Sequence, residues 1–167
     1  VSVYPPASVS STSQTVCAGT PATITATPTV GGGGYSWSPG GATTASITVS
    51  PAVTTTYTCT YTDLNGCTAT GTGVVTVTPL PVVTVNSPNI CPGQTANLVA
   101  GGATTYTWSP GVTVTGVNTA DATPAVTTSY TVTGTAAGCS NTAVATVTNG
   151  GTIVVNVNSP TICAGQT

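Results

Sequence analysis

Between residues 54 and 62 the chain alternates strictly. Every even position is Thr, and the odd positions from 57 onward are Tyr57, Cys59 and Tyr61. A period of two places the apolar set on one face of an extended strand and the hydroxyls on the other. Further strands are expected at residues 46–50, 68–78, 82–86, 96–100, 106–108 and 142–148, each bounded by Gly- and Pro-rich segments. Asp63-Leu64-Asn65-Gly66 reads as a hairpin turn, with Gly where positive φ is needed. No stretch carries a helical period. Short strands with frequent turns predict an all-β fold, a β-sandwich of about seven strands per half of the chain.

The strands recur as a repeat of about 72 residues. The run PVVTVNSPNICPGQT from Pro81 returns as IVVNVNSPTICAGQT from Ile153, identical at 11 of 15 positions. Tyr-x-Trp-Ser-Pro-Gly occurs at residues 35–40 and 106–111, and Pro-Ala-Val-Thr-Thr at 51–55 and 124–128. The expected organisation is therefore one repeat over residues 1–80, a second over 81–151, and the first strand of a third over 152–167. Because the chain opens on Val1 and stops inside a motif, it is expected to be a piece of something longer, or to donate its last strand (residues 152–157) to a neighbour. Thr78-Pro79-Leu80-Pro81 reads as a stiff linker and Asn149-Gly150-Gly151 as a looser one.

Trp37 and Trp108 fall mid-repeat on short strands, where a sandwich takes one large core residue. Tyr57 and Tyr130 open the strand after Val-Thr-Thr, the place of a tyrosine corner in immunoglobulin-like domains. These four residues and Cys59 are expected in the core.

Composition then narrows the function. The chain has no Lys, Arg or His, a formal net charge of −2, and 1% charged residues, against about 25% in ordinary globular proteins. Without cations there is no electrostatic footprint for nucleic acid or anionic lipid. Without His, and with only Asp63 and Asp121 as acids, no nucleophile–base pair can be assembled, so an enzyme is not expected. No cofactor is implied. Mean hydropathy is positive, opposite to the signature of disorder. No apolar run reaches the length of a membrane helix, so membrane insertion is not expected.

The motifs Ile-Cys-x-Gly-Gln-Thr (90–95), Tyr-Thr-Trp-Ser-Pro-Gly (106–111), Thr-Thr-x-Tyr-Thr-Val-Thr (127–133) and Gly-Cys-Ser (138–140) recur in order. They resemble the immunoglobulin-like, PKD-like tandem repeats of giant secreted cell-surface proteins of Bacteroidota, of the adhesin or filament type. The resemblance covers nearly the whole chain. It implies tandem immunoglobulin-like β-sandwich domains, export to the cell surface, and a structural role in a filament or adhesin, with further repeats or self-association as the partners. A glycan- or surface-binding module of a secreted protein, working through Trp and Tyr, is the alternative.

Six cysteines remain. Cys17, Cys91 and Cys163 are repeat-equivalent, as are Cys67 and Cys139, while Val132 stands at the place of Cys59. These spacings are not those of zinc sites, and disulfides in an oxidising compartment fit better. Three pairings compete: Cys17–Cys139 between repeats, with Cys67 and Cys91 reaching beyond this pair of repeats; Cys17–Cys67 and Cys91–Cys139 within repeats; and Cys17–Cys59. In an immunoglobulin topology the two cysteines of one repeat lie at opposite poles, which favours the first, because a disulfide needs Cα atoms within about 7 Å.

The remaining features are read more plainly. Thr-rich strands could order water as ice-binding arrays do, but Thr is a good strand residue and sandwich strands twist. Residues 31–34, all Gly, lack the Lys-Ser/Thr of a phosphate loop. Asp63 in a turn and Asp121 in a loop have no carboxylate partners for calcium. No Asn-x-Ser/Thr sequon occurs, leaving O-glycans on Ser and Thr as the candidate modification.

Overall fold

The computed structural model describes residues 7–151. The expected third-repeat strand at 152–167, and Cys163 with it, lie outside the described residues. All regular structure among the described residues is β, in 15 strands. They divide into two compact units. One holds the described residues up to Val82 together with Thr135–Asn141; the other holds Val83–Gly134 and the described residues from Thr142 on.

The first unit contains β1 (Val9–Ser11), β2 (Gln14–Cys17), β3 (Ala22–Pro28), β4 (Gly34–Ser38), β5 (Ser46–Val49), β6 (Thr55–Thr62) and β7 (Thr68–Thr78). Its sheets run β1-β3-β5 and β2-β7-β6-β4. Alternation decides which faces meet. On β3, Ala22, Ile24 and Ala26 are buried, while the intervening Thr residues are exposed or half-buried. On β6, Tyr57, Cys59 and Tyr61 point inward, as the period of two requires. Trp37, Ile47 and Val75 complete the core. Each large side chain buried here contributes on the order of 1.5–3 kcal/mol.

The outward hydroxyls pair across strands: Thr25 Oγ1 lies 2.9 Å from Ser46 Oγ, and Thr23 Oγ1 lies 3.3 Å from Thr48 Oγ1. The chain changes sheet between β1, antiparallel to β3, and β2, parallel to β7. Gly73 permits that crossing, since a Cβ there would lie 2.4 Å from the Thr12 carbonyl oxygen and 2.7 Å from Ile24 Cγ2.

The second unit repeats the plan with β8 (Thr84–Val85), β9 (Asn89–Ile90), β10 (Ala96–Gly101), β11 (Thr105–Trp108), β12 (Thr113–Val114), β13 (Thr119–Ala122), β14 (Thr128–Ala136) and β15 (Cys139–Asn149), the last two sharing their hairpin tip with the first unit. The sheets are β12-β13-β10-β8 and β11-β14-β15-β9, and the core holds Leu98, Ala122, Tyr130, Ala145 and Val147. In the first unit strands one, three and five share a sheet opposite four, six and seven; in the second, with one strand more, one, three, five and six lie opposite four, seven and eight, and both are immunoglobulin arrangements.

The structure departs from two readings of loops. Asp121 sits on β13, not in a loop, opposite Asn97 on β10. Asn149 does not open a loose linker: it ends β15, and its Nδ2 donates to the Pro124 carbonyl at 2.8 Å.

Candidate functional site

No concave pocket is found among the described residues, nor any group of three His, Cys, Asp or Glu able to hold a metal. The chemistry of the chain lies in its cysteines and in the turns that carry them.

Cys17 ends β2 and Cys139 opens β15. They form a disulfide, with Cα atoms 5.7 Å apart and a sequence separation of 122. Both belong to the first unit, because the hairpin tip Thr135–Asn141 belongs there. Cys139 Sγ lies 3.9 Å from the Thr78 carbonyl oxygen, and Asn141 Nδ2 donates to the Pro81 carbonyl at 3.1 Å.

The competing pairings are not formed, for a reason of strand length. Cys17 is paired in register with Thr78, at the far end of β7 from Cys67. Eleven residues of extended strand separate Cys67 from Thr78, about 36 Å at 3.3 Å per residue. The same spacing along β15 separates Cys139 from the end that holds β9 and Cys91. Cys17–Cys59 is not formed either: Cys59 is buried in the first core, opposite Trp37 on β4. Cys67 is a half-buried free thiol and Cys91 an exposed one. Burial pushes the Cys59 thiol above its ordinary value of 9.0, against a smaller opposing effect of a backbone hydrogen bond at Ser36.

Asp63 explains how the first repeat presents its hairpin cysteine. The residue is buried with no cation beside it, and its Oδ1 accepts from the backbone N–H of Asn65 at 2.9 Å and of Cys67 at 2.8 Å. Backbone donors replace the water that a buried carboxylate loses. Asp121 instead accepts from Asn97 Nδ2 at 2.8 Å.

Trp37, Tyr57, Tyr130 and Cys59 are buried. Trp108 is not; it is half-buried at the margin of the second core. The cause is the loop that follows it. After Trp37 the chain folds back so that Nε1 donates to the Thr44 carbonyl at 2.8 Å and Ala42 packs on the core. After Trp108 the chain instead forms β12, which joins β13 in the opposite sheet, and Trp108 Nε1 has no hydrogen-bond partner.

Two further tyrosines act where alternation alone shows nothing. Tyr61 Oη donates to the Val30 carbonyl and accepts from the Gly33 N–H at 2.9 Å, fixing the glycine-rich loop. Gly33 must lack a side chain, since a Cβ would fall 2.6 Å from the Tyr61 ring. Tyr106 Oη does the same for Ala103, accepting from its N–H at 2.7 Å and donating to its carbonyl at 2.8 Å. Tyr106 lies three residues from Ala103, beside the Gly101-Gly102 turn, and so had a local signal in the sequence; Tyr61 lies 28 residues from Gly33 and had none.

The chain is an all-β tandem of immunoglobulin-like sandwiches, and solved structures of similar shape are of this class. The N-terminal eight Ig domains of Down Syndrome Cell Adhesion Molecule match with a TM-score of 0.52 at 16% identity, over 87% of this chain and 24% of that one. Sidekick-1 immunoglobulin domains 1–4 match at 0.41 and 13% identity, over 90% of this chain and 51% of that one. The first two Ig domains of DIP-gamma match at 0.44 and 11% identity, over 87% and 98%. The chain thus spans about a quarter of the first of these proteins and half of the second. At these identities the likeness is one of fold. No protein-family model and no curated protein matches the sequence.

Proposed function

We propose that this chain is a structural repeat unit of an extracellular filament or cell-surface adhesin, stapled by disulfide and without catalytic activity. The observation that carries the reading is the Cys17–Cys139 bond, which fastens a hairpin of the second repeat (residues 81–151) to the first (residues 1–80). A covalent tie from one sequence repeat to the next serves a protein that bears load. A stable disulfide also belongs to an oxidising compartment outside the cytosol.

Composition supports the same reading. A surface almost without charge gives up the repulsion that keeps soluble proteins apart, and its outward strand faces are hydrated by Thr hydroxyls instead. The match to tandem domains of a cell adhesion molecule agrees in architecture, and the motif resemblance to repeats of Bacteroidota surface proteins agrees in setting.

Electron microscopy of native material is the test. The expected result is filaments or stalks with an axial period of one or two repeats, labelled by an antibody to this chain. Dispersed monomers in the cytosol would overturn the reading. A glycan-binding module remains the second reading, favoured by the part of the Trp108 ring that the second core leaves uncovered. It requires that Trp108→Ala abolish glycan retention while leaving the fold intact.

A further inference from the structure

The Cys17–Cys139 bond uses one cysteine of each repeat and, buried Cys59 aside, leaves Cys67 of the first and Cys91 of the second free, a pair built like the bonded one. Cys91 stands as Cys17 does. Each begins a four-residue turn closed by a backbone hydrogen bond to its own carbonyl, from Thr20 to Cys17 at 3.0 Å and from Gln94 to Cys91 at 3.0 Å. Each turn has glycine at its third position with positive φ, 77° at Gly19 and 81° at Gly93. Cys67 stands as Cys139 does, each directly after a hairpin glycine of positive φ, 81° at Gly66 and 78° at Gly138.

Spacing along the last strand agrees as well. Cys67 lies eleven residues before Thr78, the register partner of Cys17. Cys139 lies eleven residues before Gly150, which follows the Asn149–Ile90 pair and so comes level with Cys91. The two pairs differ in cover. Bonded Cys139 is 2% exposed, whereas Cys67 is half-buried and Cys91 exposed.

We propose that the Cys17–Cys139 bond is one link of a continuing series. In that series Cys91 bonds the hairpin cysteine of a following repeat, and Cys67 is the hairpin cysteine offered to a preceding one. The inference rests on the tandem-filament reading above. The partner is another repeat of this kind, and a second copy of the chain supplies it, its Cys67 meeting Cys91 of the first. Such a head-to-tail contact does not close on itself and so propagates as a fibre. The step is an oxidation: two thiols lose two protons and two electrons to form one S–S bond, and a small-molecule disulfide takes them up and leaves as two small thiols.

The experiment uses the chain with Cys163→Ala at high concentration in a buffer of oxidised and reduced glutathione. Cross-linked peptides are mapped after digestion with a protease that needs no Lys or Arg. Random pairing of two thiols under exchange gives about half mixed Cys67–Cys91 bonds; the proposal expects about nine-tenths or more, in a ladder of covalent oligomers. Cys67→Ala and Cys91→Ala should each remain almost wholly monomeric, while equal parts of the two variants should give a mixed dimer. Statistical pairing, or capping of both thiols by glutathione without oligomers, overturns the proposal. Neither result touches the filament reading, which the imaging of native material decides separately.

Discussion

Tension applied to the two ends of this chain does not follow the backbone. It enters along the first residues to Cys17, crosses the disulfide to Cys139, and leaves through β15. The 122-residue separation between the bonded cysteines is shielded. At about 3.6 Å per extended residue this hides roughly 440 Å of contour length. The experiment is force–extension measurement on single molecules held by their termini, before and after reduction with a phosphine. The oxidised chain should yield only the segments outside the loop, about 160 Å in all. The reduced chain should yield the additional 440 Å or so. Equal lengths in the two states would refute the reasoning outright.

The same bond should act at equilibrium. Closing a loop of this length costs the unfolded chain entropy worth about 4.9 kcal/mol. If the second unit stayed folded while the first opened, the flexible part of the loop would shrink to about 70 residues, and the logarithm would lower the figure by only about 0.5 kcal/mol. Urea unfolding followed through Trp37, in a Trp108→Phe background, measures the loss on reduction. A change below about 1 kcal/mol would contradict the loop argument.

Other outcomes follow from single side chains. Tyr61→Phe strips the Val30 carbonyl and the Gly33 N–H of their partner, and should cost the first unit about 1–3 kcal/mol in urea unfolding. Asp63→Ala leaves the Asn65 and Cys67 N–H groups unpaired in the turn, with an expected loss of about 1–2 kcal/mol and faster amide exchange at those two positions. Trp37→Ala should cost about 3–5 kcal/mol and Trp108→Ala clearly less, because only Trp37 is fully buried. Folding holds the Cys59 thiol protonated above its ordinary value of 9.0, so the folded state keeps a proton that the unfolded chain releases. Stability is then full below about pH 9 and falls as pH rises beyond it. Cys59→Val, copying Val132, should remove that slope at a cost within about 1.5 kcal/mol, and comparing the two proteins at pH 8 and 10 checks it.

The long strands were legible because their physics is local. Alternation of Thr with Tyr57, Cys59 and Tyr61 specifies the buried face of β6 without reference to any other strand. The two-residue strands β8, β9 and β12 carry no period at all and exist only through their partners. Asp121 looked like a loop residue because nothing near it in sequence announces its pairing with Asn97. Trp108 looked equivalent to Trp37, and its strand is. What differs is the loop behind it, where β12 takes the place of the cover over the Trp37 ring. The cysteines were a problem of long range. Spacing identified which positions were equivalent, but the choice among pairings depended on which ends of β7 and β15 hold β2 and β9. The hydroxyls of Tyr61 and Tyr106 escaped notice because a core aromatic and a loop clamp look the same in a sequence.

Between residues 17 and 139 the molecule is a ring, with the backbone as one arm and the disulfide as the other. A single peptide bond cut anywhere along that arm leaves both pieces attached. A chain without such a bond is parted by one proteolytic nick in an exposed turn; this one must also be reduced, or be cut again outside the ring. The covalent path through residues 17–139 fails only when damage coincides, so its lifetime is set by the frequency of paired breaks rather than of single ones.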